Sequence, residues 1–158
     1  MDNRTYRYYK GTPLYPFGYG LSYTDVEYKN ASISKTEGAI GDTFTVEVEV
    51  ENKGAYKVYE GVQLYVKDIE ASTRVPNWQL RGIKNVCLEA GETKKVALEL
   101  SARDFALITE TGECVVEPGE FCVAIGGQQP DERSSELTGK KVDCFKIMLN
   151  GETTKVDY

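Results

Sequence analysis

Thr43-Phe44-Thr45-Val46-Glu47-Val48-Glu49-Val50-Glu51 decides how the chain is read. Phe44, Val46, Val48 and Val50 alternate with Thr45, Glu47, Glu49 and Glu51. Successive side chains of a strand point to opposite faces, so this stretch predicts a strand with four apolar residues inward and three carboxylates outward. Three glutamates on one face are read as the solvated side of a half-buried strand, not as acid–base machinery. Asn52-Lys53-Gly54 then turns the chain.

The same pattern recurs outward from there. Val62, Leu64 and Val66 alternate with Gln63, Tyr65 and Lys67, and Val96, Leu98 and Leu100 form another inward set. Phe121, Val123 and Ile125 make a further strand, as do Phe145, Ile147 and Leu149, while Leu80 to Leu88 is extended. Upstream, Asp25 to Ser34 reads as a strand whose period breaks near Lys29-Asn30, the mark of a bulge. About seven strands with alternating character, and no convincing helix, predict an all-β antiparallel sandwich of the immunoglobulin type. The long segments 68–79 and 126–140 suit Greek-key crossovers, and the second is expected to be a mobile polar loop. Glu110 to Glu113 and Gly38 with Gly41-Asp42 are expected turns, and Asp104 to Ile108 fits a helical turn or a short strand. Phe121 follows Pro118-Gly119-Glu120 where many sandwiches carry a corner tyrosine, so purely apolar packing is expected there.

The first 24 residues are of another kind. Eight of the chain's 17 aromatic residues lie within its first 28 positions, among Gly11, Pro13, Pro16, Gly18 and Gly20. Glycine and proline deny this stretch a regular backbone in which to bury so much apolar surface. It is expected to be an extended arm that packs on something else, with Tyr6, Tyr8, Tyr9, Tyr15, Phe17 and Tyr19 as its contacts, or equally a lead-in folded back on its own domain. Pro13 to Tyr23 is expected to pack locally through Leu14, Phe17 and Leu21, leaving Arg4 to Tyr9 without its natural partner, the preceding domain of an intact protein. The chain thus divides into an arm at 1–23, a sandwich at 24–150 and a frayed tail at 151–158.

Composition closes several routes. The 158 residues carry a net charge of −6 with no basic cluster, which argues against a nucleic-acid partner. No apolar run approaches the roughly 18 residues of a membrane helix, and Met1 leads directly into polar and aromatic residues with no signal peptide in view. The histidine count is zero, which removes Ser-His-Asp and Cys-His catalysis. Cys87, Cys114, Cys122 and Cys144 contain no C-x-x-C spacing, so a zinc site is not expected. They could pair in three ways, but free thiols are favoured, and with them a cytoplasmic over a secreted setting. The loop acids Asp68, Glu70, Asp131 and Glu132 match no calcium loop, and Gly126-Gly127 lacks the lysine and helix of a phosphate loop. No cofactor or metal is expected. Asp104 and Glu117, the most enclosed acids by context, are expected to be turn and cap residues.

Arg4-Thr5-Tyr6-Arg7-Tyr8-Tyr9 followed by Pro13-Leu14-Tyr15-Pro16-Phe17-Gly18-Tyr19-Gly20-Leu21-Ser22-Tyr23-Thr24 resembles the segment that joins the last two domains of glycoside hydrolase family 3 enzymes, such as β-glucosidases. Glu51-Asn52-Lys53-Gly54, Val62 to Asp68, Glu70-Ala71-Ser72, Leu80 to Lys84, Ala90 to Thr93, Val115 to Phe121 and Ile125-Gly126-Gly127 are similar to the C-terminal fibronectin type III-like domain of that family. Trp78, Cys87 and the residues beyond Gly139 depart from it. The resemblance implies a non-catalytic accessory domain that braces the catalytic domains of a parent glycosidase through its aromatic arm. It also implies that the catalytic aspartate and its acid/base partner lie on other domains, and no segment here resembles their surroundings. A second reading, a carbohydrate-binding module, rests on Trp78 and Tyr65 as candidate sugar or partner contacts, with Tyr56 and Tyr59 nearby in sequence. A third, a generic immunoglobulin-like interaction domain, leaves the arm unexplained.

Overall fold

A computed structural model describes residues 3–157. Met1, Asp2 and Tyr158 lie outside the described residues, so the arm is followed from Asn3 and the tail to Asp157.

The strands are β1 (Val26–Ile33), β2 (Glu37–Ala39), β3 (Phe44–Asn52), β4 (Val58–Asp68), β5 (Gln79–Leu88) and β6 (Thr93–Leu100), followed by β7 (Leu107–Ile108), β8 (Cys114–Val116), β9 (Gly119–Gly126), β10 (Asp143–Asn150) and β11 (Thr154–Lys155). Among the described residues there are two helices, α1 (Thr5–Tyr8) before β1 and α2 (Glu132–Thr138) between β9 and β10, and a single 3-10 turn at Ala102–Phe105. One sheet has the order β1-β3-β6 and the facing sheet the order β2-β10-β9-β4-β5, with a small third sheet β11-β8-β7 at one end. The sandwich is therefore as the alternation predicts. One pairing departs from it: β2 runs parallel to β10, so the sheet is mixed at that edge. Gly38 lies in that strand and not in a turn.

The core lies where the two inner faces meet. Phe44, Val46, Val48, Val50, Val62, Leu64, Val66, Val96, Leu100, Phe121, Val123, Ile125, Ile147 and Leu149 are all buried, and Leu98 and Phe145 pack half-buried against them. Phe121 meets Phe105 edge-on at 5.2 Å between centroids, and Phe105 meets Phe44 at 5.6 Å. This is the apolar packing expected of a phenylalanine at that corner, with Phe105 as a wedge between the sheets. The bulge is present: β1 loses register against β3 between Lys29 and Ser32, where Asn30 has φ of 54°.

Two expectations are corrected. Segment 126–140 is not a mobile loop, because α2 forms within it. Asp131 accepts the Ser134 amide at 2.6 Å as N-cap, and Gly139 ends the helix with its own amide bonded to the Ser135 carbonyl. The tail is not frayed throughout either. Thr154 and Lys155 pair with Val116 and Val115, Lys155 is ion-paired with Glu113, and Val156 packs against the core.

Candidate functional site: the arm across the outer sheet

The two outer faces of the sandwich are built from similar alternation and end in different surroundings. On β3, Glu47 pairs with Lys95 at 2.7 Å, Glu51 with Lys29 at 2.6 Å, and Glu49 accepts from the side-chain Nδ2 of Asn30. That face is charged and open to water, as the solvated reading of the glutamates requires.

On β4 the outward residues are Gln63, Tyr65 and Lys67. Tyr65 is 0% exposed, because the arm lies over it. Its hydroxyl donates to Gln63 Oε1 at 2.5 Å, and Gln63 Nε2 donates to the carbonyls of Gly127 at 3.1 Å and Gly18 at 3.4 Å. Gly18 has φ of 77°, and a Cβ there would stand 2.5 Å from Gln63 Oε1 and 2.7 Å from the Tyr65 hydroxyl. Both the left-handed backbone and the close approach demand glycine. Burial is the main reason that the Tyr65 phenol is pushed well above its ordinary range, with Tyr6 and Asp131 adding to it.

The arm holds its shape by stacking on itself. Tyr6 stacks on Phe17 with ring centroids 3.8 Å apart and planes 11° apart, and Tyr15 stacks on Tyr19 at 5.3 Å. Pro16 is buried beneath, and Tyr19 donates its amide to the Pro16 carbonyl. Within the chain itself, Arg4 to Tyr9 lies along the sandwich. It forms α1, and Asn77 clamps its end, donating its amide to the Arg7 carbonyl at 2.6 Å and its side-chain nitrogen to the Tyr9 carbonyl at 3.1 Å. The Arg74 guanidinium lies 4.8 Å from the Tyr8 ring. Two expected anchors are also corrected: Leu14 is 75% and Leu21 88% exposed, and Gly18, not these leucines, meets the sheet.

A second latch fixes the arm where it enters β1. Asn52, at the end of β3, is fully buried. Its Oδ1 accepts from the Thr24 hydroxyl at 2.7 Å and from the Gly54 amide at 3.1 Å. Its Nδ2 donates to the carbonyls of Tyr56 at 2.7 Å and Glu89 at 3.0 Å. A Cβ on Gly54 would overlap the Thr24 hydroxyl at 1.8 Å. Sequence reasoning took Asn52 and Gly54 only as a turn; the latch explains why those two residues stand together.

Between the arm and α2 lies an open groove of about 730 Å³, lined by Tyr6, Tyr9, Tyr15, Phe17, Trp78, Gln129 and Arg133 among others. Trp78 sits there just before β5, with the Lys67 ammonium 5.8 Å from its ring. Tyr65 does not join it as a platform, since the arm covers Tyr65. Tyr56 and Tyr59 are exposed and do not line this groove. Asp104 caps the 3-10 turn through the Ser101 amide and hydroxyl, and Glu117 ties down the loop at Ser72.

Two kinds of comparison bear on this arrangement. A family model for the fibronectin type III-like domain matches residues 60–129, which run from β4 through β9. The chain is 44% identical over 130 residues to the thermostable β-glucosidase B of Acetivibrio thermocellus, spanning 80% of this chain and 17% of that protein. It is 39% identical over 137 residues to a β-xylosidase of Formosa agariphila, spanning 85% of this chain and 19% of that one. Among solved structures, the β-glucosidase of Listeria innocua in complex with glucose superposes with a TM-score of 0.77 at 34% identity, over 89% of this chain and 18% of that one. The chain carries a fibronectin type III-like domain related to those of family 3 glycoside hydrolases.

The chain spans less than a fifth of these relatives' length. In this fibronectin type III-like domain Glu60 lies beside the base of the arm. Burial raises its carboxyl above the usual range, against the opposing hydrogen bond that the Tyr28 hydroxyl donates at 2.7 Å. Burial above all, then the charge and hydrogen bond of Glu60, pushes Tyr28 far up. Such a pair stiffens the join of β1 and β4.

Proposed function

We propose that this domain braces the catalytic part of a family 3 glycosidase that acts on β-linked sugars, with the arm of residues 1–23 as the strap. The observation that carries this reading is the two-sided arm. Its inner side is fixed by Gly18, Pro16 and Thr24, while Leu14, Leu21 and Tyr23 are turned outward at 75, 88 and 100% exposure. Large apolar side chains held outward on a fixed backbone suit a partner surface, since aromatic and aliphatic anchors dominate such contacts. The relatives' much greater length leaves room for a partner of that kind within the same polypeptide. Tyr6, Tyr8, Tyr9, Tyr15, Phe17 and Tyr19 then shape and present the strap.

The test uses a version of the A. thermocellus β-glucosidase B that lacks its matching segment. Adding this chain in trans is expected to raise its thermal midpoint, and a Leu21→Ser, Tyr23→Ser double variant to lose most of that effect. No binding by either form, with both folded, would defeat the brace.

Carbohydrate binding is the second reading, favoured by one observation: Trp78 shares its groove with four aromatic residues of the arm. Titration with soluble oligosaccharides, followed by tryptophan fluorescence, tests it at Trp78 directly, the chain's single tryptophan.

A further inference from the structure

The wall of the groove between the arm and α2 holds two polar atoms that nothing in the chain satisfies. Among the described residues, Gln129 Oε1 and Arg133 Nε are buried without a hydrogen-bond partner, and both residues line the groove. Gln129 is 7% exposed, and its Nε2 is already engaged by Asp131 Oδ2 at 2.8 Å. A carboxylate only accepts, so that bond also fixes which way round the amide is turned. The half-buried Arg133 donates Nη1 to Glu136 at 3.1 Å and Nη2 to the Leu14 carbonyl of the arm at 3.4 Å, which leaves Nε. One acceptor and one donor therefore stand four residues apart in one wall. Buried polar groups are nearly always paired, so two open ones beside a groove call for a ligand that supplies both partners.

The pair selects the chemistry of that ligand. A hydroxyl both donates and accepts, so two neighbouring hydroxyls of a sugar ring satisfy the amide oxygen and the guanidinium together. An ionised phosphate or carboxylate has nothing to donate to Oε1, and an ammonium has nothing to accept from Nε. The charges along the groove balance as well, Lys10, Lys67 and Arg133 against Asp131, Glu132 and Glu136, so neither sign is drawn in. Trp78 and the rings of the arm supply apolar faces for the C–H side of a sugar. The volume of about 730 Å³ lies within the range of small-molecule sites.

We propose that Gln129 and Arg133 hold neighbouring hydroxyls of an uncharged oligosaccharide in this groove, with Trp78 as the stacking face. The inference rests on the carbohydrate reading above and gives it binding residues and a ligand class. Both side chains are long, and a small rotation of each as the sugar enters brings the two buried atoms to the groove. The Leu14 carbonyl ties the guanidinium to the arm, so the arm and α2 grip the sugar from opposite sides.

Calorimetric titration with cellotriose and xylotriose tests this, each set against a trisaccharide of the same kind carrying one glucuronic acid unit. The unsubstituted chain should bind at least one neutral trisaccharide, and its acidic counterpart roughly tenfold more weakly, since a carboxylate leaves Oε1 unpaired. Gln129→Leu and Arg133→Met should each weaken the neutral sugar roughly fivefold to tenfold, the loss of one hydrogen bond. Arg133→Lys, with the charge kept and Nε gone, should behave like Arg133→Met. Failure to bind either neutral trisaccharide would defeat the carbohydrate reading and this inference with it. Binding that survives both substitutions unchanged, or equal binding of the acidic sugar, would overturn this inference alone. The comparison of neutral with acidic sugar needs no substitution, so a poorly folding variant leaves the test intact.

Discussion

Glu49 of β3 and Tyr65 of β4 both follow the outward beat of a period-2 strand, yet one faces water and the other is sealed. On the smaller sheet the outward side chains meet lysines across the strands. On the larger sheet the outward side chains Gln63 and Tyr65 become a floor, with Gly18 of the arm set upon them. The contrast teaches that alternation fixes which side of a strand is the inside of the sandwich and is silent on what covers the outside. A core substitution and one on either outer face should therefore differ in size and in kind.

The largest effect belongs inside both faces. Val48→Asp would bury an unpaired carboxylate between the sheets, costing several kcal/mol of a total that is about 5–15 for a domain. Chemical denaturation should show a collapsed midpoint or no folded baseline; a shift no larger than that of an outer-face variant would remove the core from beneath the comparison.

Asn52→Ala comes next. It strips partners from the Thr24 hydroxyl, the Gly54 amide and the carbonyls of Tyr56 and Glu89 together. Buried polar groups left unpaired cost about 1–3 kcal/mol each, partly relieved where water can enter. A loss of about 2–3 kcal/mol in urea is expected, and a change under about 0.5 kcal/mol would show that the latch does not hold the arm's base.

Tyr65→Phe sharpens the comparison at its centre, because it removes one hydroxyl and keeps the ring. About 1 kcal/mol is the expected cost of the lost bond to Gln63. Its distinctive mark is local: the Tyr19 amide, bonded to Pro16 in the arm, should exchange faster relative to its unsubstituted rate than the Val48 amide does. Uniform acceleration at both amides would mean that the cover and the sheet open only together.

How much of this was legible in the sequence depends on how long a pattern each element has. Phe44 to Val50 spells out its inner face four times, and the core residues of β3, β4, β6, β9 and β10 follow the same rule. β2 and β11, three and two residues long, offer no period, and their pairing is imposed by the neighbouring strands. α2 carried a readable start and stop in Asp131 and Gly139, but seven residues are too few for an apolar stripe, and its stability comes from tertiary contacts. In the arm, aromatic content revealed that it must pack somewhere. Which side chains would turn inward was not legible, because that is decided by Gly18 fitting over Gln63 and Tyr65, three residues from distant parts of the chain.

Glu60→Gln is smaller again and depends on pH. The folded carboxyl is raised above its ordinary 4.5 by burial, so between those two values the folded chain binds more protons than the unfolded one, and stability falls as pH rises. Glutamine keeps an acceptor for the Tyr28 hydroxyl and carries no charge to desolvate. The variant should therefore unfold at a higher midpoint than the parent at pH 8 and at an equal one at pH 4. A lower midpoint at pH 8 would show that the Tyr28 bond to the charged carboxylate outweighs its burial.

Glu49→Lys should produce the smallest change and closes the comparison from the other side. Glu49 lies in register with Lys29 of β1 and Lys95 of β6 and accepts from the side-chain Nδ2 of Asn30. A lysine there loses that bond and faces two like charges across the strands, each a repulsion of some tenths of a kcal/mol. Water and salt surround this face, so the net cost should stay near or below about 0.5 kcal/mol. It should also shrink between about 0.05 and 0.5 M salt, as the screening length falls towards side-chain spacing. Tyr65→Phe, acting beneath the arm on a neutral hydrogen bond, should show no such salt dependence. Parallel salt dependence in the two variants would mean that both outer faces are solvated alike, and the arm would then be resting on the sheet without sealing it.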